Sequence, residues 1–310
     1  MIRFGSIVLI LIFSLSLCGC APQGQDSAGE TGHLVNDALG NRVMLSSDAR
    51  VVSCYGSFAD CWLLSGGSLV GVTDDAVEEG IVAAETVSIV GSVKSIDLER
   101  ILALSPDYVI LSADLAAHRK LEEALISAGV SYGYFRVDTF ADYKALMGQF
   151  CAVNGREDLY QTHVLEVEVR IQNILNKIPK TSEKQFLLMR VFSTGMKAKG
   201  ADNLAGQILL EFGLHNIADG NQSLLEDLSV EKVVLSDPEY IFALAMGEQA
   251  AADEFLRQNV ENNPAWSGLT AVKDGKYYML PKELFHYKPN ERWDESYEYL
   301  AKILYPELFG

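Results

Sequence analysis

Four basic side chains in the second half of the chain stand out because the sequence as a whole is strongly acidic. The chain has 25 lysines and arginines against 42 aspartates and glutamates, a formal net charge of −17. Lys197 and Lys199 lie in the run MKAKG, and Lys288 and Arg292 lie in the run KPNER. Clustered cations of this kind bind carboxylates and other anionic groups. The alternative is that they are exposed charges that keep their loops soluble.

Two residues next to Lys288 carry chemistry of a different kind. His286 and Tyr287 could ligate iron directly or stack on a flat ligand. A lone histidine beside an aromatic residue also serves as a packing or hydrogen-bonding group. Both interpretations stay open, and the sequence assigns no metal ligand.

The sequence lacks the motifs of several other protein classes. The five histidines, at positions 33, 118, 163, 215 and 286, form no HxH or HxxxH pair, which disfavours a direct zinc or manganese site. A GxSxG elbow, an HExxH helix and a GK[ST] phosphate loop are all absent, which disfavours a hydrolase. The negative net charge repels phosphate backbones, so no nucleic acid is expected as a partner.

The N-terminus has the order of a bacterial lipoprotein leader. A basic residue precedes the apolar run from Ile7 to Leu17, which is too short to span a bilayer, and Cys18-Gly19-Cys20 follows. This ending resembles a lipobox, so residues 1–19 are expected to be a signal peptide and Cys20 to be lipidated. A plain secretory signal with incidental cysteines is the alternative. Residues 20–33 are small and polar and predict a flexible tether.

Three further cysteines would remain in the mature chain, Cys54, Cys61 and Cys151. With Cys20 acylated, at least one of these three thiols is unpaired, so no disulfide framework is expected. Buried free thiols are the simpler interpretation.

Short β-rich runs alternate with amphipathic stretches along most of the chain. This alternation predicts βα units on a mostly parallel sheet. The expected strands are Arg50–Cys54, Leu69–Val72, Tyr108–Leu111, Val130–Phe135, Gln185–Phe192 and Tyr240–Leu244, with hairpins at Leu34–Leu45 and Val272–Leu280. The expected helices are Ser57–Ser65, Leu98–Leu104, Leu115–Ala128, Asn203–Phe212, Ala250–Val260 and Trp293–Leu304.

One long amphipathic segment interrupts the alternation. Between Gly155 and Pro179 apolar residues recur every three or four positions, which predicts one helix of about 23 residues. On either side the pattern repeats, because LERILALSPDYVIL at 98–111 aligns without a gap with VEKVVLSDPEYIFA at 230–243. We therefore expect an α/β fold of two similar lobes joined by one long helix, with a ligand cleft between them. The expected bounds are 34–154, 155–180 for the connecting helix, and 181–310.

The order and spacing of four segments resemble the class III (helical-backbone) solute-binding proteins of ABC importers, which carry iron–siderophore complexes, haem or cobalamin. The resemblance runs from about Leu34 to Phe309 and departs at Gly56 and Asp60, where the family commonly has Pro and Glu. It implies that the connecting helix is rigid and that closure about the ligand is limited. The four segments are Val43–Ser57, which ends in VVSCYGS; Leu98–Leu111; Asn262-Pro264-Trp266 before Ala271–Leu280; and Lys288–Arg292 before the last helix.

The expected binding site follows from the strand ends, because ligands of open α/β sheets lie beyond the carboxyl ends of the strands. This rule places Tyr55 and its neighbours opposite the loop from His286 to Arg292, and it uses the loop after Phe192 for Lys197 and Lys199. Such cations suit a ferric siderophore or the propionates of haem, and the resemblance also includes a cobalamin-like ligand. The expected ligand-binding residues are Tyr55, Ser57, Phe58, Lys94, Lys197, Lys199, Met246, His286, Tyr287, Lys288 and Arg292.

The resemblance also implies a partner surface. In that family one Glu on each lobe docks onto arginines of the two permease subunits, and the segments around Glu99 and Glu231 match those positions. Each carboxylate is expected to point to solvent from a short helix whose apolar residues, including Leu102 and Val234, face inward.

The expected function is therefore capture of an iron complex or cobalamin-like ligand between two lobes and its delivery to an ABC permease dimer with its ATPase. No cofactor is expected, because the metal complex is cargo. The chain is expected to be an extracytoplasmic monomer that meets the membrane through its N-terminal lipid alone, in the periplasm or on the outer cell surface. An extracytoplasmic enzyme, or a surface adhesin or sensor, on the same two-lobed fold is the alternative.

Overall fold

Each half of the chain builds a largely parallel β-sheet of five strands. The computed structural model describes residues 32–179, 183–226 and 228–310, so the leader, Cys20 and most of the expected tether lie outside the described residues. No helix in these ranges is long and apolar enough to cross a membrane. The elements of the first half are β1 Gly32–Asn36, β2 Arg42–Ser46, β3 Val51–Ser53, α1 Gly56–Leu64, β4 Leu69–Val72, α2 Asp75–Glu78, β5 Ser88–Ile89, β6 Gly91–Ser92, β7 Ser95–Ile96, α3 Leu98–Ala103, β8 Tyr108–Ser112, α4 Ala116–Arg119, α5 Glu122–Ser127, β9 Ser131–Phe135 and α6 Phe140–Asn154.

The N-terminal sheet has the strand order β5-β4-β3-β8-β9, and all its neighbouring strands are parallel. Every residue of β3 and β8 is buried, which explains why these strands are continuous apolar runs rather than alternating ones. The expected first hairpin is confirmed as the antiparallel pair β1–β2. Gly40 turns it with a φ of 90°, a value that glycine adopts without strain.

The C-terminal sheet has the order β11-β10-β13-β14, with the short strand β12 beside the start of β10. Its pairs are parallel except for the hairpin β10–β11. The elements of the second half are α7 Glu157–Tyr160, a π-helical turn Gln161–Leu165, α8 Glu166–Leu175, β10 Gln185–Phe192, β11 Gly195–Lys199, α9 Leu204–Glu211, β12 His215–Asn216, α10 Gln222–Glu226, α11 Val230–Ser236, β13 Tyr240–Ala245, α12 Gln249–Leu256, a π-helical turn Arg257–Glu261, α13 Pro264–Ser267, α14 Thr270–Lys273, β14 Tyr277–Met279, α15 Lys282–Phe285, a 3₁₀ turn Asn290–Arg292, α16 Trp293–Leu304 and α17 Pro306–Phe309.

A continuous helical segment, α7 to α8, connects the two sheets. It begins after Gly155, whose φ of 64° ends the preceding helix α6. The expected apolar stripe faces the core, with Val164, Val167 and Ile171 each at most 2% exposed. The segment is fixed on both sides. Glu168 accepts from Lys144 of α6 at 2.6 Å, and the ion pair between Arg170 and Asp294 joins α8 to α16.

The internal repeat seen in the sequence is also a repeat of structure. β8 lies beside β3 in one sheet, and β13 lies beside β10 in the other. The helices that precede them are capped alike, by Asp97 and by Ser229. Ser105 and Asp237, at equivalent positions, both adopt a positive φ, 46° and 41°. The two lobes therefore share even an uncommon backbone conformation.

Four main differences separate the structure from the expected elements. The expected helix 115–128 is two short helices, α4 and α5, and His118, which lies within α4, is buried. The segment 272–280 is no hairpin: α14 ends at a turn where Gly275 has a φ of 68°, and β14 then pairs in parallel with β13. The run MKAKG is the edge strand β11 rather than a loop. The fourth, α6, is a helix that the sequence analysis did not contain.

The largest core cluster runs without interruption through both lobes. Trp62 packs against Phe150 on the N-terminal side, with ring centroids 5.1 Å apart. Trp293, at the start of α16, reaches Phe140 across the lobe boundary at 6.0 Å. Since α16 belongs to the end of the chain and α6 to the first half, the two lobes share one interior.

Buried His118 makes folding stability depend on pH. Its Nδ1 accepts the Ser112 N–H at 2.9 Å, so Nε2 carries the hydrogen that faces the Val93 carbonyl oxygen at 3.1 Å. Burial lowers the pKa of His118 to about 4. The unfolded chain takes up this proton near pH 6.5 and the folded chain only near pH 4, so stability is lost as the pH falls through this window.

His118→Asn should weaken this pH dependence, because the asparagine Oδ1 can still accept the Ser112 N–H but does not titrate. We expect the loss of unfolding free energy between pH 7 and pH 4 to shrink by about 3 kcal/mol, measured by urea unfolding at both pH values. His215→Asn, at an exposed histidine, is the matched control and should leave the loss unchanged. An equal loss in wild type and His118→Asn would contradict the assignment.

Candidate functional site

The N-terminal lobe meets the cleft at the turn between β3 and α1. Tyr55 is the N-cap of α1, and its ring packs on Phe58 with centroids 5.0 Å apart. The Gly56 N–H donates to Asp75 Oδ2 at 2.6 Å, and a Cβ at residue 56 would lie 3.2 Å from Ala76 Cα. Glycine therefore lets α2 approach the start of α1, and proline could not make this bond because it has no N–H.

The C-terminal lobe reaches the same turn through Asn290. The Asn290 amide donates to the Ser57 carbonyl oxygen at 2.9 Å and to Asp60 Oδ2 at 2.7 Å, and its Oδ1 accepts from the Cys61 thiol at 3.2 Å. Asn290 is 1% exposed and has a φ of 50°. One buried side chain thus uses both ends of its amide to hold the two lobes together.

Lys288, two residues before Asn290, makes a second connection between the lobes. Its N–H donates to Ser57 Oγ at 3.2 Å, and its ammonium lies 3.4 Å from Asp138 Oδ1. The loop from His286 to Arg292 is therefore docked on the N-terminal lobe rather than free in solvent.

Two cavities flank this loop. One, of about 60 Å³, lies between the lobes, and the other, of about 170 Å³, lies beside α1. The first is lined by Asp138 of the N-terminal lobe and by Arg190, Asn203, Leu204, Leu244, Phe285, His286, Tyr287 and Lys288 of the C-terminal lobe. The second is lined by Ser57, Asp60, Glu79, Glu283, Tyr287 and Arg292, among others.

The smaller cavity surrounds a neutral imidazole with positive charge. Burial, and then the charges of Lys282, Arg190, Lys288 and Lys94, lower the pKa of His286 to about 4. The ring is therefore unprotonated at neutral pH and presents a nitrogen lone pair among cations. This combination favours an anionic ligand, and it leaves His286 able to donate to a metal.

Tyr287 has the opposite surroundings. Its ring centroid lies 5.4 Å from that of His286. Burial, and then the charges of Glu79, Glu78, Glu283 and Asp75, raise the pKa of Tyr287. A phenolate at this position would be repelled by those carboxylates, so the hydroxyl stays protonated.

The expected cations are not equivalent in the structure. Arg292 pairs with Glu295 of its own helical turn at 2.7 Å, and Lys199 pairs with Asp202 at 3.0 Å, outside the cavity between the lobes. Lys197 is exposed and pairs across the hairpin with Arg190, which places both side chains on one face of the sheet. Lys94, in the turn between β6 and β7, is exposed.

The remaining expected residues divide in the same way. Phe58 is 1% exposed and lies in the core between Tyr55 and Phe135, so it supports Tyr55 but does not reach the cleft. Met246 directly follows β13 and donates its N–H to the Val191 carbonyl oxygen at 2.7 Å. It therefore lies at the carboxyl end of the sheet, as the sequence predicts.

Sequence reasoning missed three residues of this site, namely Arg190, Asn290 and Asp138. Arg190 had a signal, because it is the one charged residue inside the apolar run QFLLMRVF that forms β10. A charge within a buried strand needs a functional or structural reason. Asn290 and Asp138 had no comparable signal, since their roles depend on contacts between distant parts of the chain.

Both expected docking carboxylates are exposed. Glu99 and Glu231 occupy the same place in α3 and α11, two residues after the capping residue. The expectation for Val234 was wrong, because its side chain is 43% exposed, and Leu235 beside it is 86% exposed. α11 buries only Val233, so its outer face is partly apolar.

The described residues contain no group of three or more His, Cys, Asp or Glu side chains placed to hold a metal ion. The relationship of the chain to a known protein family is clear. The family model described as periplasmic binding protein matches residues 51–284, from β3 to α15. The chain belongs to the periplasmic binding protein family.

Individual relatives of this binding protein extend the match over most of the chain. YhfQ of Bacillus subtilis (strain 168), a proposed ABC transporter substrate-binding lipoprotein, is 22% identical over 90% of each chain. The Fe(3+)-citrate-binding protein YfmC of the same organism is 23% identical over 89% of this chain and 88% of its own. S. aureus IsdE complexed with heme has a TM-score of 0.66 at 14% identity and covers 83% of this chain and 99% of its own.

Membership in this family settles the general role. The chain is an extracytoplasmic binding protein and not an enzyme, and its partners are a small-molecule ligand and an ABC permease with its ATPase. The loop of residues 286–292 lies beyond the matched segment.

Asn290→Ala should destabilise this binding protein strongly. The substitution removes three hydrogen bonds, and it leaves Asp60 without its donor although burial already raises the pKa of that carboxyl. We expect the unfolding free energy to fall by about 2 to 4 kcal/mol, measured by urea unfolding. Asn262→Ala is the matched control, because exposed Asn262 makes one bond to the Arg257 carbonyl oxygen at 2.8 Å. A loss no larger than that of the control would show that Asn290 does not hold the lobes.

Proposed function

We propose that the protein captures an anionic ferric complex between its two lobes and delivers it to the permease. The observation that carries this proposal is that two cations, Arg190 and Lys288, line the cavity between the lobes together with neutral His286. Charge-assisted hydrogen bonds from such cations hold carboxylate or catecholate oxygens. Two similar proteins support iron as the cargo, since one is an Fe(3+)-citrate-binding protein and the other is complexed with heme. The ferric complex is cargo in this proposal, not a resident cofactor, and the protein acts as a monomer.

Arg190 is the principal anion-binding residue in this proposal. It lines the cavity with His286. Its charge acts on Asp202, but no described carboxylate lies within ion-pair distance of it. Lys288 lines the same cavity but shares its charge with Asp138. The neutral ring of His286 is able to contribute a direct bond to iron.

Arg190→Ala should weaken binding of each ferric complex that the wild type binds. We expect a loss of about 1.5 to 3 kcal/mol, roughly ten- to 150-fold in affinity, measured by calorimetric titration with ferric citrate, hemin and a ferric tris-catecholate. Lys288→Ala should lose less, because Asp138 already neutralises part of its charge. Arg257→Ala is the control and should bind like the wild type, since Arg257 pairs with Glu254 of α12 and lines neither cavity. Wild-type affinity in Arg190→Ala, or no binding of any of the three complexes by the wild type, would contradict the proposal.

The permease contact is proposed to use the symmetric carboxylates Glu99 and Glu231. They are exposed, they occupy equivalent helix starts, and they match the docking positions implied by the family resemblance. A twofold permease that presents the same basic patch twice is complementary to such a pair.

Charge reversal at both positions should abolish uptake without affecting capture. In Glu99→Lys/Glu231→Lys we expect ligand affinity and melting temperature to stay near wild type, because exposed charges contribute little to folding. Transport into proteoliposomes that contain the permease should fall to background. The control is Glu123→Lys/Glu261→Lys, which reverses one exposed carboxylate on each lobe elsewhere and should transport normally. Normal transport by the first variant would refute the docking assignment.

The anchor is proposed to be a lipid on Cys20, which lies outside the described residues. The leader carries the order of a lipoprotein signal, and the relative YhfQ is named a lipoprotein. Two or more acyl chains hold a protein on a membrane because each buried methylene contributes about 0.8 kcal/mol. The mass of the mature N-terminal peptide tests this directly.

A further inference from the structure

On the hairpin β10–β11, the side chains that face the cleft continue past the cavity between the lobes. Side chains alternate along β10, so Leu187, Met189 and Val191 pack into one core cluster. Phe186 and Leu188 face the other side of the sheet. Arg190 continues that second face into the cavity. Phe192, two residues further on, must point to the same side, above the cavity.

Phe192 is unusual in its exposure. It is 36% exposed, which is more than any other Phe, Tyr or Trp in the described ranges. Its strand partner is Gly195, which has no side chain to cover it. An exposed phenylalanine at the end of a sheet is a surface that a ligand or partner can cover.

A second apolar residue lies next to Phe192. Met246 follows β13, the parallel neighbour of β10, and its N–H donates to the Val191 carbonyl oxygen at 2.7 Å. On β13, Phe242 and Leu244 face the same side as Phe186 and Leu188, and Met246 continues this series. Neighbouring strands lie about 4.8 Å apart, which is contact distance for a thioether and an aromatic ring.

The carboxyl end of this sheet therefore has two rows of different chemistry. The inner row contains Arg190 with Lys197 beside it, and the outer row contains Phe192 and Met246. The cavity at the inner row is about 60 Å³, whereas pockets that enclose a whole small ligand have roughly 300 to 1,000 Å³. The inner row can admit an anionic group, but the body of a ligand has to lie on the outer row.

We propose that Phe192 and Met246 form a platform for the flat aromatic part of the ligand, while an anionic group of the same ligand reaches Arg190. This inference rests on the proposed function and narrows it. The preferred cargo is an anionic iron complex with an aromatic face, of catecholate or porphyrin chemistry, rather than an aliphatic carboxylate complex. An aromatic face gains from contact with both a phenylalanine ring and a methionine sulfur.

The test compares three probes on wild type and Phe192→Ala. We measure affinities for hemin, for a ferric tris-catecholate and for ferric citrate by calorimetric titration. The wild type should bind at least one of the two aromatic probes more tightly than ferric citrate. In Phe192→Ala that aromatic probe should lose about ten- to hundredfold in affinity, while ferric citrate should change less than twofold. Which aromatic probe responds distinguishes porphyrin from catecholate.

Leu210→Ala provides the matched control, because Leu210 is 39% exposed on α9 of the same lobe. It should leave all three affinities unchanged. Equal losses for aromatic and aliphatic probes in Phe192→Ala, or no loss for any probe, would overturn the platform. Unchanged affinities with lost uptake would instead make Phe192 a permease contact and would also overturn it. A wild type that binds only ferric citrate overturns this inference and leaves the proposed function standing, whereas a wild type that binds none of the probes overturns both.

Discussion

The arrangement of the two lobes depends on the buried amide of Asn290. An asparagine side chain has two N–H hydrogens to donate and a carbonyl oxygen that accepts, and here it serves the Ser57 carbonyl, Asp60 and Cys61 together. Asparagine also tolerates the left-handed backbone that the loop requires. An aspartate at 290 would place a second carboxylate against Asp60. The loop that brings His286 and Lys288 to the cleft is held in place by this contact.

The charge around His286 is opposite in sign to the net charge of the molecule. The chain carries a net charge of −17, yet four cations act on His286. Carboxylates collect instead around Tyr55 and Tyr287, where burial and those charges raise both phenolic pKa values. Positive charge therefore acts at His286 although the molecule as a whole is acidic, and a local field of this sign attracts anions.

The sequence predicted the fold well where patterns are local. The strand 185–192 and the helix 293–304 have the expected bounds, because apolar periodicity and flanking polar residues determine them. The helix α6 was missed although Thr139 and Asp142 form a capping box and Gly155 ends it. β14 could not be assigned from local pattern, because it pairs in parallel with β13, which is distant in the sequence. β11 was missed although it forms a hairpin with the adjacent strand β10.

The site was less predictable than the fold, for a physical reason. Strand ends predicted that Tyr55, Ser57, His286, Tyr287 and Lys288 would meet, and the structure brings Ser57, His286, Tyr287 and Lys288 to adjoining cavities. Whether a cation is available depends on its neighbours, which a linear pattern does not show. Glu295 and Asp202 occupy Arg292 and Lys199, whereas Arg190 has no such partner among the described residues.

Because the two lobes share one core, ligand binding affects the stability of the whole chain. Trp293 and α16 bury the same interior as α6 of the first half, so neither half can lose its packing alone. Occupancy of the cleft then stabilises the entire chain against unfolding, by RT ln(1 + [L]/Kd) for ligand concentration [L], rather than one lobe. The duplicated chain therefore has two structural lobes but unfolds as one cooperative unit.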